Sequence, residues 1–424
     1  MKRRDFLKST SIAASTLAFP TLIPRHVLAA DGQPGANDRL RVGFIGIGGR
    51  ARWIISDEGL PGADLVAVAD CDFQRVNKAA AELPGGDKWK KYQSYKEMLE
   101  KEKLDAVFVE TTTHARVLAC IQALQAGCDV YGEKPLTLTV AEGRVLANAV
   151  KKYNRILQTG SQQRSMPANM HASRLIREGA IGKVHTVITH NFTSGKKWVN
   201  PGGEAEAIPE GLDWDAWCNQ VELRPYSKEL QQGWANYLDY DGGGQSWGVT
   251  GWGTHSLDQV QCALGTDDTG PVELIPEEPG SQCRVTLRYE NGTLLKLEGP
   301  KRGMEDLGAI FIGDKGKIEI LRGSYTAEPA ELLKDSPPPT AMGPKESLPH
   351  IENFFECIRT RAQPNADVET GHRATTLCHL INICRDLQRK LKWDPRAEKF
   401  TGDDEANQFL SRPRRKGYEL PDIA

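Results

Sequence analysis

The sequence predicts a two-domain α/β protein in which a parallel sheet comes first and an open, mostly antiparallel sheet follows. From Arg39 to about Gly160, apolar strand segments alternate with helical segments, which is typical of a parallel sheet with right-handed crossovers. After Gly160, apolar and polar residues alternate around short turns, which predicts antiparallel strands with one buried face. We therefore expect a first domain over residues 38–160 and an α+β domain over residues 161–424.

The first half divides into elements by its hydrophobic runs. The expected strands are residues 40–45, 64–69, 105–109, 128–131 and 156–158. The expected helices begin at residues 48, 114 and 140 and extend to residues 56, 126 and 153.

In the second half, Asn291-Gly292 predicts a tight hairpin turn and Asp314-Lys315-Gly316 predicts another. The strands expected around these turns are residues 283–289, 293–297, 309–312 and 317–321, with a further long strand at 183–192. Helices are expected at residues 167–178, 350–361 and 370–391. Residues 193–253 are rich in Gly, Pro and Trp, which predicts loops, and residues 400–424 are expected to form a polar tail on the surface.

Residues 1–30 have the composition of a cleavable export signal. Arg3-Arg4 and the residues after them match the twin-arginine pattern, and Val27-Leu28-Ala29 offers a small-residue cleavage site. The apolar stretch at residues 12–23 is too short for a permanent membrane anchor. We expect a periplasmic or secreted protein; the alternatives are an uncleaved anchor and a chance pair of arginines.

Charge and cysteine content argue against two classes of partner. The formal net charge is −2 with both signs mixed along the chain, whereas nucleic-acid binding needs a basic field. The nine cysteines are scattered without a Cys-x-x-Cys pair, which fits neither a zinc site nor a disulfide framework. We expect no nucleic-acid partner, no metal and mostly buried thiols.

A glycine-rich loop follows the first strand. In Gly46-x-Gly48-x-x-Ala51, the first Gly permits a tight turn, the second admits a diphosphate to the backbone, and the small third residue lets helix pack on strand. Asp70 ends the next strand, where a carboxylate accepts hydrogen bonds from a ribose and repels a 2′-phosphate. The pattern predicts a Rossmann domain that binds NAD rather than NADP. Asp72 is the alternative ribose ligand, and an ordinary loop is the alternative to a cofactor site.

Export and NAD binding together constrain the cofactor. No exchangeable NAD pool is expected outside the cytoplasm. We therefore expect a cofactor that is bound before export, held tightly and recycled in place.

Several segments together resemble the glucose–fructose oxidoreductase / inositol dehydrogenase / MocA (Gfo/Idh/MocA) superfamily. They are Glu133-Lys134-Pro135 after a strand, Thr111-Thr112-Thr113-His114 after the preceding strand, residues 251–258, Asn353-Phe354, and residues 367–373. The resemblance covers nearly the whole mature chain. It implies a Rossmann domain joined to an open antiparallel sheet, a sugar or polyol substrate between them, and homo-oligomers paired through the second sheet.

The resemblance also implies roles for matching residues. Lys134 and His255 are the expected catalytic pair, the lysine stabilising an alkoxide and the histidine acting as general base. His114 is expected beside the nicotinamide, or alternatively only at a helix start. The expected cofactor contacts are Gly46, Ile47, Gly48, Gly49, Arg50, Asp70, Thr111, His114, Glu133 and Lys134.

One position departs from the family pattern. Related dehydrogenases carry an Asp four residues before the histidine, and Gly251 stands there in this chain. Asp239, Asp241 and Asp258 are the candidates to replace it.

Six of the nine tryptophans lie between Trp198 and Trp252. Indole faces stack on sugar rings, which predicts a carbohydrate cleft here, and a subunit interface is the alternative. The expected substrate contacts are Trp247, Trp252, Asp258 and His372. For His372 and its neighbour Glu369, capping at the surface is the alternative.

Three functions are compatible with these patterns. The first is an NAD(P)-dependent oxidoreductase acting on a sugar, glycoside or polyol hydroxyl. The second is cleavage of a glycosidic bond with transient use of NAD and no net redox change. The third is a sugar-binding protein without catalysis.

Overall fold

Two β-sheets organise the chain, one in each half. The computed structural model describes residues 39–199, 206–244, 247–298 and 307–423. The expected export signal at residues 1–30 lies outside the described residues.

The first sheet has six strands in the order β3-β2-β1-β4-β5-β6. The pairs β2–β3, β1–β4, β4–β5 and β5–β6 are parallel. Strand β4 is buried on both faces, as its uninterrupted apolar sequence requires. The short β3 carries two lysines and was not predicted. The strands are β1 Leu40–Ile45, β2 Ala63–Ala69, β3 Lys90–Tyr92, β4 Ala106–Val109, β5 Asp129–Gly132 and β6 Leu157–Thr159.

Local signals fix the helices between these strands. Helix α5 begins after Thr139, whose hydroxyl accepts a hydrogen bond from the Glu142 amide, and it ends at Asn154 in the left-handed conformation. Helix α1 continues into one π-helical stretch at Ile54–Glu58. The predicted bounds of α5 are confirmed, whereas α2 and α3 were missed. The helices are α1 Gly49–Trp53, α2 Phe73–Glu82, α3 Tyr95–Lys101, α4 Thr113–Gln125 and α5 Val140–Tyr153.

The second sheet has nine strands in the order β13-β12-β11-β7-β10-β9-β8-β14-β15. Both predicted hairpins, β9–β10 and β11–β12, are confirmed. The sheet is mixed because β10 pairs in parallel with β7. The strands are β7 Val184–His190, β8 Pro271–Pro276, β9 Val285–Tyr289, β10 Leu294–Glu298, β11 Ala309–Gly313, β12 Gly316–Leu321, β13 Ser324–Glu328, β14 Leu391–Asp394 and β15 Lys399–Phe400.

The apolar face of this sheet packs against long helices to form the core of the second half. Two of them, α9 and α11, are buried along almost their whole length. The helices are α6 Pro167–Arg177, α7 Trp214–Cys218, α8 Lys228–Gly233, α9 Trp252–Leu264, α10 Leu348–Thr360, α11 Val368–Leu387 and α12 Asp404–Gln408. All nine cysteines are free thiols, and only Cys71 is more than marginally exposed. Within the described ranges, no helix has the length and apolarity needed to cross a membrane.

Candidate functional site

A cavity of about 990 Å³ runs along the carboxyl ends of the first sheet's strands. The first half contributes the loop after β1 and the residues that follow β2, β3, β4 and β5. The second half contributes His255, Arg322, Tyr418 and several residues between 213 and 244. Open parallel sheets bind ligands at this edge. The cavity is therefore where the two halves of the chain meet.

The glycine-rich loop forms one wall of the cavity. Gly46 has φ +87, and a Cβ there would lie 2.9 Å from the Glu110 carbonyl group, so only glycine fits. At Gly48 and Gly49 a Cβ would meet no atom within 4 Å, which leaves the backbone open to the cavity. The loop is also braced by Asp70, whose Oδ2 accepts from the Ile47 amide at 2.8 Å.

Asp70 and Asp72 both line the cavity but differ in their partners. Asp70 accepts backbone hydrogen bonds from Ile47 and Asp72, which oppose the rise in its pKa caused by burial. Asp72 caps α2 through the Gln74 amide and pairs with Arg75. Asp70 thus connects the glycine-rich loop to the end of β2, whereas Asp72 caps the helix α2 that follows it.

Lys134 and His255 face the same cavity. The Lys134 ammonium donates to the carbonyl oxygen of Gly251 at 3.0 Å, so position 251 holds the lysine through its backbone. Burial lowers the Lys134 pKa below 10.5. Burial also lowers the His255 pKa well below 6.5, reinforced by the charges of Lys134 and Arg322, so this imidazole is neutral at pH 7.

Of the three proposed replacements for the missing carboxylate, Asp241 lines the cavity with this pair. Its Oδ2 accepts from the Thr250 hydroxyl at 3.0 Å, directly before Gly251. Its Oδ1 is buried without a hydrogen-bond partner among the described residues. Gly244 lies so close that a Cβ there would overlap the carboxylate. Asp241 thus joins Lys134 and His255 from a different loop.

Burial raises the pKa of Asp241 from 3.8 to about 6, against the opposing effects of Thr113, Thr250, Arg116 and Lys134. A carboxylate with this pKa changes its proton occupancy near neutral pH. Asp239 instead pairs with Arg224 at 2.6 Å. Asp258 is held by Arg164 at 2.9 Å inside the protein.

Among the cavity residues that the sequence analysis did not single out are two charged groups, Glu110 and Arg116. Glu110 follows β4, and neither of its carboxylate oxygens has a hydrogen-bond partner in the described part of the chain. Burial and the Glu133 charge raise its pKa well above 4.5. Arg116 lines the cavity and donates to the Thr111 carbonyl at 2.6 Å. A charged residue at the end of an apolar strand was the signal available for Glu110.

Arg50, Thr111 and Glu133 line the cavity as expected. The Arg50 Nε lies 2.9 Å from Glu133 Oε1, which links the loop after β1 to the end of β5. The Thr111 hydroxyl is buried without a partner among the described residues. An open glycine backbone, an acid after β2 and unpartnered polar atoms along one edge fit a dinucleotide.

Several expected contacts lie away from the cavity lining. His114 is buried, with Nε2 2.8 Å from the Trp217 carbonyl oxygen, and burial lowers its pKa to about 4. His372 is buried between helices, where its Nε2 contacts Glu398 Oε1 at 2.8 Å and its ring lies against Gly143. Both histidines make internal hydrogen bonds that sequence spacing does not reveal. His114 lies in the first turn of α4, which is the alternative position expected for it. Glu369, expected in the cleft or at a surface cap, instead bonds Arg144 and Arg373.

The tryptophans divide differently from the expectation. Trp247 and Trp252 contact each other, with ring centroids 4.7 Å apart, and pack on the core of the second half. Trp217 and Trp234 are the indoles that line the cavity. Trp217 belongs to a small apolar cluster against which Trp234 and Cys71 pack. Trp214 stacks on Trp217 within a small apolar core. The substrate contacts expected for Trp247, Trp252, Asp258 and His372 are therefore not present in the cavity lining.

Comparison with known proteins places both halves in one family. Residues 40–161 match the model of the GFO_IDH_MocA oxidoreductase family, NAD-binding Rossmann fold. Residues 167–420 match the model of the same oxidoreductase family's C-terminal alpha/beta domain.

Individual relatives are more distant. The chain is 38% identical over 124 residues to a scyllo-inositol 2-dehydrogenase (NAD(+)) of Bacillus subtilis, covering 29% of this chain and 35% of the relative. It is 23% identical over 202 residues to a glycosyl hydrolase family 109 protein of Shewanella pealeana, covering 43% and 44%. The chain thus aligns with less than half the length of these curated relatives.

Solved structures share the fold over a longer range. An aldose-aldose oxidoreductase from Caulobacter crescentus superimposes with a TM-score of 0.57 at 19% identity, covering 84% of this chain and 99% of that protein. A myo-inositol 2-dehydrogenase from Lactobacillus plantarum gives 0.57 at 18% identity, with the same coverage. Since the family models together span both sheets, the chain belongs to the Gfo/Idh/MocA family of oxidoreductases.

Proposed function

We propose that this protein uses a tightly held NAD to oxidise a hydroxyl-bearing carbon of a sugar, glycoside or polyol to a carbonyl, or to carry out the reverse reduction. The observation that carries the proposal is the convergence of Lys134, His255 and Asp241 on the cavity that the glycine-rich loop also lines. The match to the Bacillus inositol dehydrogenase supports the substrate class. NADP is the less favoured cofactor, because Asp70 stands where a 2′-phosphate would be repelled.

The residues that would hold NAD are those of the glycine-rich loop, Asp70, Thr111 and Glu133. When bound, NAD supplies the acceptor or donor of a hydride. Gly48 and Gly49 expose backbone amides to a diphosphate, and Asp70 offers acceptor lone pairs to a ribose.

Lys134, His255 and Asp241 manage the proton of the substrate hydroxyl. Neutral His255 accepts that proton at an imidazole nitrogen, since its lowered pKa leaves it uncharged at pH 7. The Lys134 ammonium donates a hydrogen bond to the substrate oxygen and stabilises charge that develops there. The Asp241 carboxylate offsets part of the cost of burying the lysine charge. It takes up a proton as pH falls towards its pKa of about 6.

Redox-assisted cleavage of a glycosidic bond is the second candidate. The similarity to the Shewanella glycosyl hydrolase family 109 protein, 23% identical over 202 residues, is the observation that supports it. Here oxidation of a ring hydroxyl is transient, and the bond breaks by elimination. The cavity contains carboxyl groups with raised pKa, Glu110 and Asp241, which suit proton delivery to a leaving group.

One assay separates these functions. The protein is purified without added cofactor, its NAD content is measured after acid release, and it is incubated with polyols and with aryl glycosides. Lasting absorbance change at 340 nm supports the oxidoreductase, and leaving-group release without such change supports cleavage. Sugar binding with neither signal would favour a non-catalytic binding protein, and absence of NAD in purified and NAD-incubated protein would refute the proposal.

Export and assembly are further proposals. We propose that the twin-arginine signal exports the folded protein and that copies pair through the second sheet. Fractionation of cells that produce the wild type or an Arg3→Lys, Arg4→Lys variant tests export, and retention of the variant in the cytoplasm is expected. Light scattering of the purified protein tests assembly, and a monomer mass would contradict it.

A further inference from the structure

We propose, resting on the proposed binding of NAD, that the second half of the chain forms part of the cofactor site and retains NAD there. Two pieces do this: a bridging segment, residues 206–244, and a C-terminal tail, residues 411–423. Residues of both pieces line the cavity together with Asp70 and with residues of the loops after β2 and β3. In a Rossmann domain this is the adenosine end of the dinucleotide. The contributing side chains are Asp213, Trp217, Asn219, Gln231, Trp234 and Tyr418.

The bridging segment is attached to the loop after β2. The Phe73 amide donates to the Gly211 carbonyl at 2.9 Å, and the Asp213 amide donates to the Cys71 carbonyl at 2.9 Å. The Gln93 side chain also donates to the Gly211 carbonyl, at 2.9 Å. These bonds connect the segment to the two loops that flank the expected adenosine position.

Its second attachment is at the start of α4. The His114 ring contacts the Trp217 carbonyl oxygen at 2.8 Å, and the His114 amide donates to the Tyr240 carbonyl at 3.2 Å. The Gln220 side chain donates to the His114 carbonyl at 2.7 Å and to Glu142 at 2.9 Å. The segment therefore spans from β2 to α4, on both sides of the glycine-rich loop.

The C-terminal tail fastens the bridging segment from outside. Arg415 pairs with Asp215 and donates to the Asn219 carbonyl at 3.1 Å. Tyr418, which lines the cavity, donates its hydroxyl to Asp215 at 2.6 Å. The Arg415 guanidinium also lies over the Tyr418 ring, 4.7 Å from its centroid.

The bridging segment has its own apolar core and is not a loose loop. That core consists of Leu212, Trp214, Trp217, Cys218, Tyr226, Leu230 and Tyr240, all buried. Opening the cavity here requires breaking this packing together with the bonds to β2 and α4. Release of NAD is therefore expected to be slow, because it requires local unfolding.

Exchange of bound NAD tests this proposal without measuring catalysis. NAD-loaded protein is mixed with excess deuterated NAD, and the bound isotope is followed by native mass spectrometry. The wild type should exchange over hours. Trp234→Ala, which removes a wall of the cavity, and Arg415→Ala, which releases the tail, should each exchange at least tenfold faster.

Matched controls lie outside the cavity. Trp252→Ala removes an equally half-buried indole, and Arg389→Ala breaks ion pairs with Asp403 and Glu405 near the C-terminus. Both should exchange at the wild-type rate. Should Arg415→Ala fold poorly by circular dichroism, Tyr418→Phe removes only the hydroxyl bond to Asp215 and should still speed exchange.

The outcomes distinguish this proposal from the proposed function. Protein that never binds NAD refutes both. Wild-type protein that binds NAD but exchanges it within seconds refutes retention alone. Exchange rates that are equal in the wild type, Trp234→Ala and Arg415→Ala also refute retention alone.

Discussion

Replacing Asp241 with Asn should stabilise the protein while removing most of its activity. Burial raises the Asp241 pKa from 3.8 to about 6, a difference of about two units. At about 1.4 kcal/mol per unit, the folded protein disfavours the charged carboxylate by about 3 kcal/mol relative to the unfolded chain. Asparagine has nearly the same shape without the charge. Above about pH 7, Asp241→Asn should therefore raise the free energy of unfolding by up to about 3 kcal/mol.

The pH dependence gives the sign of this effect. Below pH 3.8 the Asp241 carboxyl group is protonated in both the folded and the unfolded protein, so burial of a charged carboxylate does not reduce the stability of the wild type. As pH rises from 3.8 to about 6, the carboxyl group loses its proton in the unfolded chain first, and the free energy of unfolding of the wild type falls. The stability difference between variant and wild type should therefore grow across this range and become constant above it.

Urea unfolding followed by tryptophan fluorescence at several pH values measures the difference. The matched control is Asp239→Asn, because Asp239 is ion-paired with Arg224 and lies outside the cavity lining. That control keeps Asp241, so the loss of stability that Asp241 causes as pH rises from 3.8 to about 6 should remain in it. Activity of Asp241→Asn should fall about 100-fold or more, as expected for loss of a positioned acid–base group. Equal pH profiles for Asp241→Asn and wild type, or full activity in the variant, would refute the reasoning.

Three further substitutions test other parts of the site and the core. Lys134→Met should reduce turnover about 100-fold or more while leaving the NAD content of the purified protein unchanged, since the ammonium acts on the substrate oxygen; unchanged turnover would remove Lys134 from the mechanism. Asp70→Ser should lower the ratio of the NADP dissociation constant to the NAD dissociation constant by about tenfold or more, as measured by calorimetry. An unchanged ratio would exclude Asp70 as the ribose acceptor. Asp258→Asn should leave KM unchanged, because Asp258 is held by Arg164 inside the protein and lies outside the cavity lining; a raised KM would return Asp258 to the substrate site.

The fold was largely predictable because the strongest signals are local. The apolar run of β4, the Asn291-Gly292 turn and the Thr139 cap each specify an element without reference to the rest of the chain. The short, lysine-bearing β3 was missed because its pairing with β2 provides what its own composition does not. The parallel pairing of β10 with β7 depends on how distant segments meet, which local periodicity does not encode.

The candidate site was predictable where a motif carried it. The glycine-rich loop, Asp70, Lys134 and His255 all line one cavity, as their motifs indicated. His114 and His372 lie outside the cavity lining and contact partners 103 and 26 residues away. Sequence spacing does not show such contacts. The same is true of the tryptophans: their clustering in the sequence suggested a sugar cleft, whereas Trp217 and Trp234 line the cavity within an apolar cluster that also contacts Cys71 after β2.

Gly251 and Asp241 connect catalysis to cofactor retention. Because Gly251 has no side chain, it holds Lys134 only through its carbonyl oxygen, and the carboxylate comes from Asp241 at the end of the bridging segment. The Gly244 amide bonds the Ala235 carbonyl at 2.7 Å, which fixes this end of the segment to the part that carries Trp234. Opening the bridging segment to release NAD would therefore also disturb Asp241. It follows that the state able to exchange cofactor should be poorly active, and a variant with faster NAD exchange should lose activity in proportion to the time it spends open.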